Sequence, residues 1–151
     1  MADRRGLSVN PLEALREIFA GELEGRPFQE MMDGPCFAVW NDRPAEFVFP
    51  GGESMADFQK RVDAAVRGIA AAHPEETVCV ATHATVIRVL ECLWRGLALE
   101  HLNTVSWVGN ASVTVVDYDE QGAGRLVDWN VTTQLGDIST AFPEELGGNA
   151  E

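Results

Sequence analysis

The alternation of apolar and polar positions is most regular after Ser54, where it predicts a long helix. Apolar side chains recur every three or four residues over 55–69 and therefore share one helix face. Ser54 is a favourable N-cap residue, and Asp57 places a negative charge in the first turn. Because Pro74 cannot continue a helix, we expect the helix to end near Ala72.

The short apolar run Thr77–Ala81 predicts a strand. It is rich in β-branched residues and contains no alternation, which is typical of a parallel strand that is buried on both faces. A turn containing His83 follows, and a helix is predicted from Ala84 to Arg95, before Gly96. Its predicted inward positions are Ile87, Leu90, Leu93 and Trp94. A helix, a buried strand and a second helix in this order indicate an α/β fold.

Two further strands are predicted towards the C-terminus. Ala111 to Tyr118 and Arg125 to Val131 flank a Gly-containing turn, so they are predicted to form an antiparallel hairpin. Upstream, residues 26–52 are rich in Pro and Gly but also contain Phe and Trp, which favours an ordered loop over a linker. We expect one domain over residues 1–142 and a flexible acidic tail over 143–151.

The composition of the chain argues against several classes of partner. The 151 residues include 24 acidic and 11 basic side chains, which gives a formal charge of −13. A field of this sign repels nucleic acids and anionic membranes, and no apolar run is long enough to span a bilayer. The odd cysteine count, without a Cys-x-x-Cys pair, favours neither a disulfide framework nor a zinc site. We expect Cys36, Cys79 and Cys92 to be small buried residues of a cytoplasmic protein.

His83 is the strongest candidate for chemistry among the three histidines. It lies where the predicted strand ends and a helix begins, and ligands of open α/β sheets gather at such positions. The free N–H groups at the start of the helix can bind an anion, and a histidine adds a further donor. A core histidine that caps local backbone is the alternative, and the position alone leaves both open. His73 is expected to lie on the surface, and His101 is not expected to reach His83.

Four segments occur in an order that resembles the histidine-phosphatase (phosphoglycerate-mutase-like) superfamily. The strand, Thr-His pair and helix around His83 resemble the family's second histidine motif. Leu15 to Gly25 is similar to its Leu-x-Glu…Gly-x-x-Glu-Gly segment, and Pro50 to Ser54 to its Gly-Glu-Ser element. Asn110 to Val115 is similar to its Asn-Ala-Ser-Val strand. The resemblance covers Leu7 to Asn130.

This resemblance implies a three-layer α/β/α domain, incomplete at its N-terminus, with a mostly parallel sheet and a C-terminal β-hairpin. It implies that Glu17 is the general acid and base, because a carboxyl beside a phosphate retains its proton more readily. His83 and the backbone N–H of Ala84 would bind the phosphoryl group, with Ala84 in place of the usual glycine. Arg88 is a further candidate for phosphate binding, and a structural role for it stays open. The resemblance implies neither a metal nor a cofactor.

The family's Arg-His-Gly motif, whose histidine attacks phosphorus, has no counterpart in this sequence. The 151 residues contain no Arg-His dipeptide. Met1 to Val9 resembles the middle of a family member, which predicts a chain that begins after the nucleophile. The missing strand would lie beside Thr77–Ala81, and its absence would leave an exposed sheet edge. We therefore expect a homodimer, pairing with a partner chain, or poor solubility.

The function implied by the resemblance is phosphomonoester hydrolysis, with a small phosphorylated metabolite as substrate. The short interval between Gly25 and Gly51 favours a phosphatase over a mutase. The chain as given is expected to be weakly active or inactive, because covalent catalysis requires the nucleophile. One alternative is a non-catalytic module that binds a phosphorylated ligand or another protein. Another is a truncated product without a function of its own.

Overall fold

The computed structural model describes residues 2–27, 30–31 and 34–138, with the backbone alone at positions 35 and 36. The α-helices and strands with described bounds are α1 (Pro35–Asp42), α2 (Met55–Ala72), α3 (Ala84–Trp94), β1 (Val113–Tyr118) and β2 (Gly124–Val131). Short 3-10 helices lie at Asp3–Arg5, Glu13–Leu15, Gly21–Leu23, Pro44–Glu46, Leu99–Thr104 and Thr133–Ile138. The predicted acidic tail, 143–151, falls outside the described residues.

Helix α2 confirms the predicted boundaries and the predicted cap. Ser54 Oγ accepts the backbone N–H of Asp57 at 3.0 Å and donates to its carboxylate at 2.7 Å, which satisfies a free donor of the first turn. The fully buried positions of the helix are Met55, Phe58 and Val62. The helix ends at Ala72, as the following proline requires.

Helix α3 is buried over more of its circumference than the apolar pattern predicts. Its buried apolar residues are Val86, Val89, Leu90 and Cys92. Ile87, Leu93 and Trp94 are half-buried, so the predicted inward face is confirmed fully at Leu90 alone of the four positions named. Two charged residues, Arg88 and Glu91, are buried as well. Gln59 Nε2 of α2 donates to the Val89 carbonyl at 3.0 Å and joins the two helices.

Strands β1 and β2 form the predicted antiparallel hairpin. Val113 lies opposite Val131, and Tyr118 lies opposite Gly124. Trp94 Nε1, at the end of α3, donates to the Tyr118 hydroxyl at 2.8 Å and so holds the hairpin against the helix. The local turn and alternation signals were therefore sufficient to predict this element.

The segment Thr77–Ala81 departs from the prediction of a buried parallel strand. It has no assigned helix, strand or turn, and all five residues are exposed, including Cys79. Val78 and Val80 expose 43% and 42% of their surface. The sheet within the described residues is the two-stranded antiparallel hairpin, so a mostly parallel sheet is not confirmed. A strand is covered on both faces only where neighbouring strands and outer layers flank it, and the described residues supply none here.

The Pro- and Gly-rich stretch 26–52 contains helix α1, which was not predicted. The described part of the stretch is ordered around aromatic residues, as expected. The rings of Trp40 and Phe47 meet edge-to-face with centroids 5.2 Å apart, and those of Phe47 and Phe49 do so at 4.7 Å. Edge-to-face contacts are a preferred arrangement of aromatic pairs and stabilise the loop. The side chain of Cys36 lies outside the described part of this stretch.

Candidate active site

Glu17 lies beside the N-terminus of α3, where the sequence places the anion site. Its neighbours Leu15 and Ile18 are buried in the core and anchor the segment, while Glu17 itself is half-buried. Glu17 Oε1 accepts the backbone N–H of Ile18 at 2.8 Å, and Oε2 accepts the backbone N–H of Thr85 at 3.3 Å. The structure therefore brings the predicted acid and base to the helix that follows His83.

His83 is the N-cap residue of α3 and has an exposed side chain. Its backbone is extended, with φ −115° and ψ 163°, and its carbonyl accepts the N–H of Ile87 at 3.2 Å. Ala84 is the first helical residue and does not have a positive φ, so the methyl group in place of glycine causes no backbone strain. Thr82 Oγ1 donates to the Leu15 carbonyl at 2.7 Å, which ties the approach to His83 to the Glu17 segment.

Arg88 is fully buried, one turn further along α3. Its Nε donates to the Val105 carbonyl at 2.9 Å, and its Nη2 donates to Asn103 Oδ1 at 3.1 Å. The guanidinium lies 4.3 Å from the ring centre of Trp107, a cation–π contact. Burial lowers the pKa of Arg88 to about 10. In this arrangement Arg88 holds the chain over 103–107, and its predicted contact with phosphate stays a prediction.

A pair that the sequence analysis did not single out, Glu53 and Arg61, fixes the segment that carries Glu17. Arg61 Nε and Nη2 each donate to one Glu53 oxygen at 2.8 Å, a bidentate pair that lowers the pKa of Glu53. Arg61 Nη1 also donates to the Ala14 carbonyl at 2.8 Å. Helix α2 thus reaches across to the backbone three residues before Glu17. The resemblance to the Gly-Glu-Ser element included Glu53 but did not indicate Arg61 as its partner.

Two glycines allow the same segment to approach the start of α2. Gly21 has a φ of 55°, and a Cβ at this position would overlap the Pro50 carbonyl. A Cβ at Gly52 would overlap the Phe19 carbonyl. The Glu53 N–H donates to that same Phe19 carbonyl at 2.9 Å, so the close approach is held by a backbone hydrogen bond. The two Gly-containing motifs seen in the sequence are therefore the two sides of one contact.

Asn103 connects the aromatic loop to α3. Its Nδ2 donates to the carbonyls of Trp40 and Asn41 at 2.9 and 2.7 Å, and its Oδ1 accepts from Arg88. Both donor hydrogens and the acceptor of the amide are used, which makes the link specific for asparagine. Because Trp40 and Asn41 lie in the last turn of α1, this amide fixes the position of α1 relative to α3.

Comparison with models of known families identifies the family. The model of the histidine phosphatase superfamily, branch 1, matches residues 1–132. The chain belongs to this superfamily. The resemblance read from the four sequence motifs is thereby confirmed.

Relatives of the histidine phosphatase chain include two proteins of Hydrogenobacter thermophilus. Phosphoserine phosphatase 1 is 27% identical over 140 residues, which cover 91% of this chain and 65% of that protein. The second protein, provisionally named phosphoserine phosphatase 2, is 30% identical over 118 residues, which cover 77% of this chain and 57% of that protein. The chain therefore spans less than two thirds of the length of these relatives.

Solved structures similar to this histidine phosphatase chain include YhfR of Bacillus stearothermophilus, with a TM-score of 0.79 at 27% identity. That match covers 87% of this chain and 65% of YhfR. A mycobacterial glucosyl-3-phosphoglycerate phosphatase, in complex with inorganic phosphate, matches with a TM-score of 0.74 at 26% identity, over 88% and 70% of the two chains. These matches confirm the α/β phosphoglycerate-mutase-like fold.

The described part of the histidine phosphatase chain contains neither a cluster of metal-ligating side chains nor a membrane-spanning helix. Over 2–27, 30–31 and 34–138, no group of three or more His, Cys, Asp and Glu side chains is placed to hold a metal ion. No helix within these ranges is long and apolar enough to cross a membrane.

Proposed function

We propose that this chain provides the acid–base and phosphate-binding half of a phosphomonoester hydrolase. The observation that carries the proposal is the contact between the Glu17 carboxylate and the Thr85 N–H at the N-terminus of α3. This contact brings the Glu17 carboxyl to the first turn of the helix whose N-cap residue is His83. In the proposed site, this carboxyl, the His83 ring and the N–H groups at the helix N-terminus act on the same phosphoryl group. Such a set binds a phosphoryl group and delivers a proton to its ester oxygen.

The proposed roles follow the family's chemistry. A histidine from outside these 151 residues attacks phosphorus, the P–O ester bond breaks, and Glu17 gives its proton to the leaving oxygen. His83 and the Ala84 N–H donate to the phosphoryl oxygens as their charge increases. Water then attacks the phosphohistidine while Glu17 takes its proton, which releases phosphate and restores both residues. No step uses a metal or a cofactor, and the proposed site of action is the cytoplasm.

We further propose that Thr77–Ala81 is a strand when a partner segment lies beside it. Val78 and Val80 are exposed here, and an apolar segment of this kind is a template for strand addition. The proposed occupant is the segment that carries the Arg-His motif, because pairing there would place its histidine next to His83. A second copy of the chain, which would form a homodimer, is the competing occupant.

The test is hydrolysis of p-nitrophenyl phosphate by the 151-residue chain, alone and with an added segment that bears the Arg-His-Gly strand of a relative. We expect little or no turnover alone and turnover with the segment. Glu17→Gln and His83→Ala should abolish the restored activity, whereas the surface variant His73→Ala should leave it unchanged. Binding of the segment without turnover would favour a non-catalytic binding module. Turnover by the chain alone would contradict the proposed origin of the nucleophile.

A further inference from the structure

A cavity of about 260 Å³ opens directly beside Glu17 and Thr85. Its walls are mainly apolar and come from the segment that carries Glu17, from the loop around α1 and from the segment held by Arg88. The rings that line it are Phe37, Trp40, Phe47, Phe49 and Trp107. If the phosphoryl group sits at the N-terminus of α3, the remainder of the substrate can extend into this adjoining space.

The aromatic walls are held in place before any ligand binds. Phe47 and Phe49 are each 3% exposed and contact each other edge-to-face. Trp40 contacts Phe47, and its backbone carbonyl accepts a hydrogen bond from Asn103. Trp107 is held on the other side by the guanidinium of Arg88. A pocket that is already ordered binds an apolar group without the entropic cost of arranging its walls.

The charge around the cavity is negative. Among its described lining residues the charged ones are Glu17 and Glu24, and none carries a positive charge. Glu24 is held in place, because its Oε1 accepts the Ala20 N–H at 2.9 Å. With Glu17 protonated as the general acid, a substrate whose leaving group carried its own carboxylate would meet the Glu24 carboxylate and no described cation in this space. Such a substrate is disfavoured by like-charge repulsion.

We propose that this site selects phosphomonoesters whose leaving group is uncharged and aromatic or otherwise apolar. The volume agrees with this class: an apolar cavity of about 150 Å³ is known to hold benzene, so the space here accepts a substituted or fused ring. The selection differs from what the names of the two relatives indicate, since phosphoserine carries an amino and a carboxylate group. The inference rests on the proposed function, because that function places the phosphoryl group at α3.

The test uses 19F resonances of the 151-residue chain labelled with 5-fluorotryptophan, so it does not depend on turnover. Of the four tryptophans, Trp40 and Trp107 line the cavity, whereas Trp94 contacts Tyr118 and Trp129 contacts Arg95. Single Trp→Phe variants assign the signals. We expect phenyl phosphate to shift the first two resonances and to leave the last two in place. Phosphoserine at the same concentration should shift none of them.

Two variants sharpen the measurement. Trp107→Ala should weaken phenyl phosphate binding by a factor of about 2 to 10, because it removes one aromatic contact with the bound ring. Trp129→Ala is the matched control and should leave the affinity unchanged. Glu24→Gln should strengthen phosphoserine binding by a larger factor than phenyl phosphate binding, because only phosphoserine carries a carboxylate on its leaving group.

The outcomes separate the inference from the function on which it rests. If phosphoserine shifts Trp40 and Trp107 as strongly as phenyl phosphate does, the apolar preference is wrong and the phosphatase site stands. If phenol binds as tightly as phenyl phosphate, the phosphate group contributes nothing to binding and the cavity is not part of a phosphate site. This result would overturn both the apolar selectivity and the proposed phosphatase site. If phenyl phosphate leaves both resonances in place, the assignment of the cavity is overturned as well.

Discussion

Replacing Glu91 by glutamine should change how the stability of the protein depends on pH. Glu91 lies on α3 with only 2% of its side chain exposed. Its Oε1 accepts from Arg95 Nε at 2.5 Å, while its Oε2 is buried and has no hydrogen-bond partner within the described structure. Burial raises the pKa of Glu91 to about 7, although the nearby Arg95 acts in the opposite direction.

The sign and size of the effect follow from proton linkage. A carboxyl with a pKa of 4.5 in the unfolded chain and about 7 in the folded protein binds more protons when folded, over the pH range between these values. Its contribution to stability is therefore complete below pH 4.5 and is lost as the pH rises through 7. The loss amounts to roughly 3 kcal/mol in the free energy of unfolding. Glu91→Gln removes the titrating group and hence this loss.

Urea unfolding of the wild type and Glu91→Gln at several values between pH 5 and pH 8 measures the effect. We expect the free energy of unfolding of the wild type to fall relative to the variant, by about 1–3 kcal/mol from the acid to the alkaline end. Glu120→Gln, at an exposed turn position, is the matched control and should follow the wild type. A difference that stays constant, or that favours the wild type as the pH rises, would refute the reasoning. It would mean that Arg95 outweighs burial.

Two further predictions concern the residues that position the site. Arg61→Ala should lower the free energy of unfolding by about 2–3 kcal/mol, because it leaves the carboxylate of Glu53 without its ion-pair partner. Urea unfolding measures this, with the exposed variant Lys60→Ala as the control. Equal free energies of unfolding for the two variants would contradict the prediction. Asn103→Asp keeps the acceptor for Arg88 but loses both amide donors, so it should lower the melting temperature. Asn103→Ala loses the acceptor as well and should lower it further. An unchanged melting temperature in both variants would show that the hydrogen bonds of Asn103 contribute no stability.

Elements whose determinants are close in sequence could be predicted from the sequence. The cap at Ser54, the helix that ends at Ala72 and the hairpin of β1 and β2 all depend on residues within a few positions of one another. The contact of Glu17 with the start of α3 spans 68 residues, and the family resemblance rather than the local pattern indicated it. The resemblance therefore indicated the long-range part of the candidate site.

Features that depend on distant partners could not be predicted from local pattern. Thr77–Ala81 has the composition of a buried strand, but its burial requires neighbours that its own residues do not encode. The sequence left both a phosphate contact and a structural role open for Arg88, and it did not indicate the Val105 carbonyl and Asn103, 17 and 15 residues away, to which the guanidinium donates. Helix α1 was missed because the Pro and Gly residues around it indicate a loop.

The central claim is that a phosphate group binds where Glu17, His83 and the N-terminus of α3 meet. Titration of the 151-residue chain with inorganic phosphate, followed by NMR of the histidine rings and the backbone amides, tests it directly. We predict that the ring signals of His83 and the amide signal of Thr85 shift together and saturate. The exposed rings of His73 and His101 serve as internal controls and should stay in place. Shifts at all three histidines, or none at His83 and Thr85, would contradict the claim.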